Sequence, residues 1–134
     1  MDNTPKLADR IVSGLTYLSA GIVGVVWLII SAVRGKFPPR FTLYHIMQSV
    51  FLSLLYVIFN FIFWHIVGFL SYIPLLNRLI RQLVYLFNMP FIVGYSIMQC
   101  LIYGTILYLA VFAFMGLYSY IPWVSDIIKS NFRK

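Results

Sequence analysis

The chain has 134 residues, of which 62% are hydrophobic and 10% charged, and its net charge of +7 comes from ten Lys and Arg against three acids. Soluble domains carry roughly 25% charged residues, and a fold this poor in charge cannot cover its own surface with polar groups, so an ordinary soluble domain is excluded. The basic excess does not point to nucleic acid either. The cations cluster in short gaps between apolar runs, as in loops at an anionic membrane surface, and no basic face is interleaved with aromatics.

Residues 1–10, MDNTPKLADR, are polar and mixed in charge, unlike the basic start of a secretory signal. The apolar run 11–33 covers about 34 Å as a helix, which predicts an uncleaved first transmembrane helix. Ser13, Tyr17, Ala20, Gly24, Trp27 and Ser31 fall on one face of that helix, where small side chains let a neighbour approach. The turn RGKFPPR, residues 34–40, carries three cations, and Pro38-Pro39 stops any helix.

Residues 41–77 contain no formal charge. They predict a second span over 42–70. Within it His45, Ser49, Ser53, Tyr56 and Asn60 recur at helical spacing and form a candidate polar face. Facing lipid, such a stripe is costly, so it is expected to face other helices or water. Inter-helix hydrogen bonding is the commoner use of such a stripe, and the wall of a polar pathway is the sharper one. His65 lies off the stripe and reads as hydrogen-bonded structure near the far interface.

Tyr72 fits an interfacial aromatic belt. In 75–88, Leu76, Leu79, Ile80, Leu83 and Phe87 share one face, and Asn77, Arg78, Arg81 and Gln82 lie largely opposite. This predicts an amphipathic helix lying in the interface. The third span is expected over 91–117, with Ser96, Cys100 and Gly104 as a small-residue face. One uninterrupted helix is preferred there, because a turn at 98–100 would leave backbone groups unpaired in hydrocarbon. Residues 122–132 predict a second interfacial helix anchored by Trp123. Its apolar face comprises Ile121, Val124, Ile128 and Phe132, opposed by Lys129 and Arg133.

The fold class expected is therefore an all-α integral membrane protein. It forms a single transmembrane domain over residues 1–134, with three transmembrane helices plus interfacial amphipathic helices; four transmembrane helices are the alternative. Three spans put Lys6, Arg10, Arg78 and Arg81 on one side. Arg34, Lys36, Arg40, Lys129, Arg133 and Lys134 lie on the other, a narrow margin under the positive-inside rule. Four spans would put both termini on one side with a wider margin. Two strings also recur. Pro39-x4-Tyr44-x-Ile46-Met47-Gln48 matches Pro90-x4-Tyr95-x-Ile97-Met98-Gln99, and Gly68-x2-Ser71-Tyr-Ile-Pro74 matches Gly116-x2-Ser119-Tyr-Ile-Pro122. Chance in a sequence of few residue types competes with an internal duplication.

Three stretches carry a family resemblance. They are Arg10-x2-Ser13-x-Leu15-x-Tyr17-Leu18, then Arg40-Phe41 with Met47-Gln48, then Gly116-x-Tyr118-x2-Ile121-Pro122-x2-Ser125-Asp126. In this order they resemble the Tic-twenty family of the chloroplast inner-envelope protein-import machinery and its bacterial membrane relatives. The resemblance implies a helical multi-pass protein of the bacterial cytoplasmic membrane or plastid inner envelope, whose plastid members are proposed to line part of a preprotein channel. Plastid-type members have four spans, whereas here only residues 19–40 separate Leu18 from Phe41. The shorter three-span relatives are the closer match.

The expected function is thus a subunit of a protein-translocation or channel complex acting by helix packing and oligomerisation. Its partners are the lipid bilayer, anionic lipid headgroups, and further copies or other membrane subunits, without nucleic acid. A small-molecule or ion transporter component, or a scaffold of no transport activity, is the alternative. Cation transport usually needs an intramembrane carboxylate, and Asp2, Asp9 and Asp126 all lie outside the expected spans. No enzyme is expected, and no catalytic, cofactor or metal residue is assigned. His45 and Ser49 sit one turn apart, but no acid or nucleophile motif supports hydrolase chemistry. Cys100, the sole cysteine, excludes an internal disulfide and reads as a small packing residue.

Overall fold

The computed structural model describes residues 5–132. Asp2, Arg133 and Lys134 lie outside the described residues, as does the side chain of Phe132. Among the described residues there are six helices: α1 Leu7–Leu18, α2 Ile22–Val33, α3 Arg40–Ser71, α4 Pro74–Asn88, α5 Ile97–Phe114 and α6 Val124–Phe132. Two short strands, β1 Pro90–Ile92 and β2 Tyr95–Ser96, pair antiparallel. The chain divides into two compact units, Met1–Leu54 with Ile106–Lys134, and Leu55–Thr105. Two helices, α3 and α5, are long and apolar enough to cross a membrane.

In the first unit the helix expected over 11–33 is broken. α1 ends in a Schellman motif: Gly21 N–H bonds the Thr16 carbonyl at 2.8 Å and Ala20 N–H bonds that of Tyr17 at 3.2 Å. Ala20 and Gly21 both take left-handed backbone angles, φ 52° and 94°. Ser19 then accepts from Val23 N–H at 3.1 Å and so helps start α2. The chain reverses at this point. A Cβ placed on Gly24 would meet Thr16 Cγ2 at 2.6 Å and Ile46 Cγ1 at 2.9 Å. At the far end Asp9 lines one shallow depression with Ser31 and Arg34. α2 therefore folds back along α1 as a helical hairpin. Each arm of 12 residues is about 18 Å long, too short to cross a bilayer alone.

The rest of the unit is assembled on the first half of α3. Tyr17 packs with Leu109, Ala110 and Ala113 of α5, and Tyr44 packs with Val124 and Ile128 of α6. The apolar face read in 122–132 is thus spent partly on Tyr44. α5 closes in a second Schellman motif, with Gly116 at φ 78°. There Gly116 N–H bonds the Ala113 carbonyl at 3.0 Å and Leu117 N–H that of Phe112 at 3.0 Å.

In the second unit α4 matches the amphipathic segment read from sequence. Pro74 occupies its first turn, where a missing N–H costs nothing. The helix expected over 91–117 does not begin at residue 91. Residues 90–96 form a hairpin whose two-residue loop, Val93-Gly94, has φ 49° and 83°, the signature of a type I′ turn. α5 then starts at a capping box. Ser96 Oγ accepts from Gln99 N–H at 3.3 Å, and Gln99 Oε1 accepts from Ser96 N–H at 2.9 Å. The two copies of Tyr-x-Ile-Met-Gln accordingly sit in different settings: Tyr44 is buried on α3, whereas Tyr95 is an exposed strand residue.

Candidate functional site

The densest chemistry in the chain is a buried polar junction in the first unit. α1 contributes Tyr17, α3 contributes His45 and Gln48, and the segment after α5 contributes Ser119 and Ser125; all five are at most 3% exposed. Burying such groups is costly unless each finds a partner. Gln48 Oε1 accepts from Tyr17 Oη at 2.7 Å and from Ser119 Oγ at 3.0 Å. Gln48 Nε2 donates to Ser125 Oγ at 3.2 Å, which also accepts from Ile121 N–H at 2.8 Å. Tyr17 Oη lies 2.8 Å from His45 Nδ1. Tyrosine has one hydroxyl proton, so with that proton given to Gln48, His45 Nδ1 must be the donor to Tyr17. The order of donors then runs from His45 through Tyr17 to Gln48 and on to Ser125.

An aromatic shell closes the junction. Phe41 meets His45 edge-on at 4.5 Å and Tyr118 at 5.3 Å, and Tyr118 stacks on His45 at 6.0 Å. Tyr44 donates from Oη to the Ser119 carbonyl at 2.8 Å, fixing the strap after α5. Among the described residues three buried atoms, Ser13 Oγ, Thr42 Oγ1 and His45 Nε2, have no well-formed hydrogen bond. The Leu117 backbone lies beside the His45 ring but outside that geometry.

The polar face read on α3 divides by role. Ser49 Oγ donates to the Thr16 carbonyl at 3.1 Å and Ser53 Oγ to the Ala20 carbonyl at 2.9 Å. Both hydroxyls therefore serve the α1–α2 break. Ser49 is turned to Thr16 rather than to His45, so the two do not form a nucleophile–base pair. Tyr56 is 49% exposed, and Asn60 Nδ2 donates only to the Tyr56 carbonyl of its own helix at 3.2 Å. His65 likewise bonds its own helix, at the Phe61 carbonyl.

Residues from all three motif stretches meet around this junction. Arg10 Nε donates to the Phe114 carbonyl at 2.8 Å and lies against Gly116, where a cation suits the carbonyl-rich end of α5. Tyr17, Phe41, Gln48, Tyr118, Ile121 and Ser125 line or adjoin the network, and Ser13 is buried on α1. Arg40, Met47, Pro122 and Asp126 are exposed. Asp126 accepts from Tyr120 Oη at 3.1 Å, and this hydrogen bond raises the Tyr120 phenol above its ordinary pKa.

Sequence reasoning did not single out Thr16, Tyr44 or Ser119 as junction residues. Ser119 was visible only as one letter of a recurring string, and nothing in its neighbourhood marked it as a partner for Gln48. Among the described residues no group of three His, Cys, Asp or Glu stands together as a metal site. The junction contains no carboxylate; its chemistry is that of a neutral hydrogen-bonded lock joining three distant segments. No family model matches this sequence, and no curated protein or solved structure is similar to it.

Proposed function

We propose that the chain is a multi-pass integral membrane protein acting as a subunit of a larger channel or protein-translocation assembly, working by helix packing and oligomerisation. The observation that carries this reading is the meeting of the three Tic-twenty-like stretches at one buried junction around Tyr17, His45 and Gln48. Large apolar side chains outside that lock remain unburied, Phe61 at 65% and Val57 at 61% on α3 and Leu101 at 63% on α5. Such surfaces suit lipid and neighbouring helices.

In this reading α3 and α5 cross the bilayer, and the α1–α2 hairpin enters and leaves it on one side. A break at depth is tolerated where protein satisfies the freed backbone, as the Schellman bonds and Ser53 do here. This replaces an uninterrupted first span and changes the charge balance. Lys6, Arg10, Arg34 and Lys36 precede α3, Arg40 opens it, and Lys129, Arg133 and Lys134 follow α5 in sequence, whereas only Arg78 and Arg81 lie between. The positive-inside rule then puts both flanking segments in the cytoplasm by a wide margin. The test of assembly is the mass of the full chain in nanodiscs, paired with crosslinking in native membranes. Oligomers or crosslinked membrane partners are expected; a monomer without crosslinks would end the assembly reading.

A further inference from the structure

We infer that the polar face of α4 is a docking surface for anionic phospholipid headgroups. This rests on the membrane reading above and names a lipid partner within it. Successive helical residues turn by about 100°, which puts Asn77, Arg78, Arg81, Gln82 and Tyr85 on one side of α4. Leu76, Leu79, Ile80, Leu83 and Phe87 fall on the other. The polar side offers donors without a single carboxylate, and the whole unit Leu55–Thr105 contains no Asp or Glu. Arg81 Nε is held by Asn77 Oδ1 at 2.7 Å, which steadies the guanidinium while its other nitrogens stay open. Arg78 and Gln82 are exposed, and Tyr85 is 68% exposed.

Two arginines without an internal counterion, above a helix face built for acyl chains, match a phosphodiester at the bilayer surface in charge and in height. The positive-inside rule depletes cations from non-cytoplasmic segments, the side on which the reading above places α4, yet Arg78 and Arg81 stand there, three residues apart and on one face. A headgroup phosphate supplies the negative charge that the chain itself withholds.

The full chain is reconstituted in nanodiscs of equal phosphatidylglycerol and phosphatidylcholine, and the lipids it retains on release are counted by native mass spectrometry. Each cation at an anionic surface is worth about fivefold in partitioning, so R78Q/R81Q is expected to lose about 25-fold in anionic selectivity at low salt. K129Q, which removes one cation outside α4, is expected to lose no more than about fivefold, and R78K/R81K to keep most of the wild-type selectivity. Unchanged selectivity in R78Q/R81Q, an equal loss in K129Q, or an equal loss in R78K/R81K would each overturn the proposal. Alkaline carbonate extraction separates this failure from that of the underlying reading. Wild-type chain released from the membrane refutes the membrane reading; chain retained with selectivity independent of both arginines refutes only the lipid site.

Discussion

Ser49 stands one turn from His45 on α3, yet its hydroxyl donates to the Thr16 carbonyl, 3.1 Å away on another helix. That bond explains why a hydroxyl recurs on this face of α3. Ending α1 in mid-run frees carbonyls; Ser53 takes that of Ala20, and Ser49 adds a bond from α3 to that of Thr16, which also accepts from Gly21 N–H. Ser49→Ala and Ser53→Ala are each expected to lower stability by about 0.5–1.5 kcal/mol. The loss at Ser53 falls at the lower end, because that bond is more exposed. Thermal unfolding in mild detergent reads the effect, and Asn60→Leu, which removes only a bond within its own helix, serves as the near-neutral reference.

The junction predicts strong coupling. Tyr17→Phe takes away the hydroxyl that joins His45 Nδ1 and Gln48 Oε1, leaving buried groups short of a partner at about 1–3 kcal/mol. Gln48→Leu frees Ser119 and Ser125 as well and is expected to cost at least as much. Residues sharing one network are non-additive. The double variant should therefore lose clearly less than the sum of the singles in the same unfolding assay; strict additivity would show that the two do not act together.

Gly24 is the close-packing point of the α1–α2 hairpin against α3. Gly24→Val drives a branched side chain into Thr16 and Ile46 and is expected to cost about 1–3 kcal/mol or more. A Cβ on Gly104 meets nothing within 4 Å, so Gly104→Ala should be neutral to slightly stabilising in the same measurement.

Val93 holds a left-handed backbone, φ 49°, at the first loop position of the β1–β2 turn, where Asn is favoured and a branched residue is strained. Val93→Asn is expected to raise stability by about 1 kcal/mol. A fall in the unfolding midpoint would contradict the turn assignment.

Much of this architecture was written in simple periodicities. α3 and α4 follow from a long uncharged run and from a clean division of Leu and Arg around one helix, and α6 from Val124 and Ile128. What escaped was punctuation inside apolar sequence. The α1–α2 reversal turns on Ala20, a residue with no preference for left-handed angles, and its partners Ser49 and Ser53 lie on another helix. Gly24 and Ala20 were legible as a close-packing face, but not as the inside of a hairpin. The late start of α5 had a local signal in Ser96-x-x-Gln99 after Gly94, which the hydropathy of 91–117 overrode. In the junction, Tyr17, His45 and Gln48 stood out singly. Their meeting with Ser119 and Ser125 depends on contacts across more than 70 residues, which spacing along one helix cannot reveal.

The reversal of the chain at residues 19–21 is what separates a hairpin from a first span crossing the bilayer. Single cysteines at Lys6, Lys36 and Gln82, with Cys100 replaced, can be labelled by an impermeant thiol reagent from each side of a sealed membrane. Lys6 and Lys36 are predicted to label from the same side, and Gln82 from the opposite one. Lys6 and Lys36 labelling from opposite sides would mean an uninterrupted first span and would contradict the account.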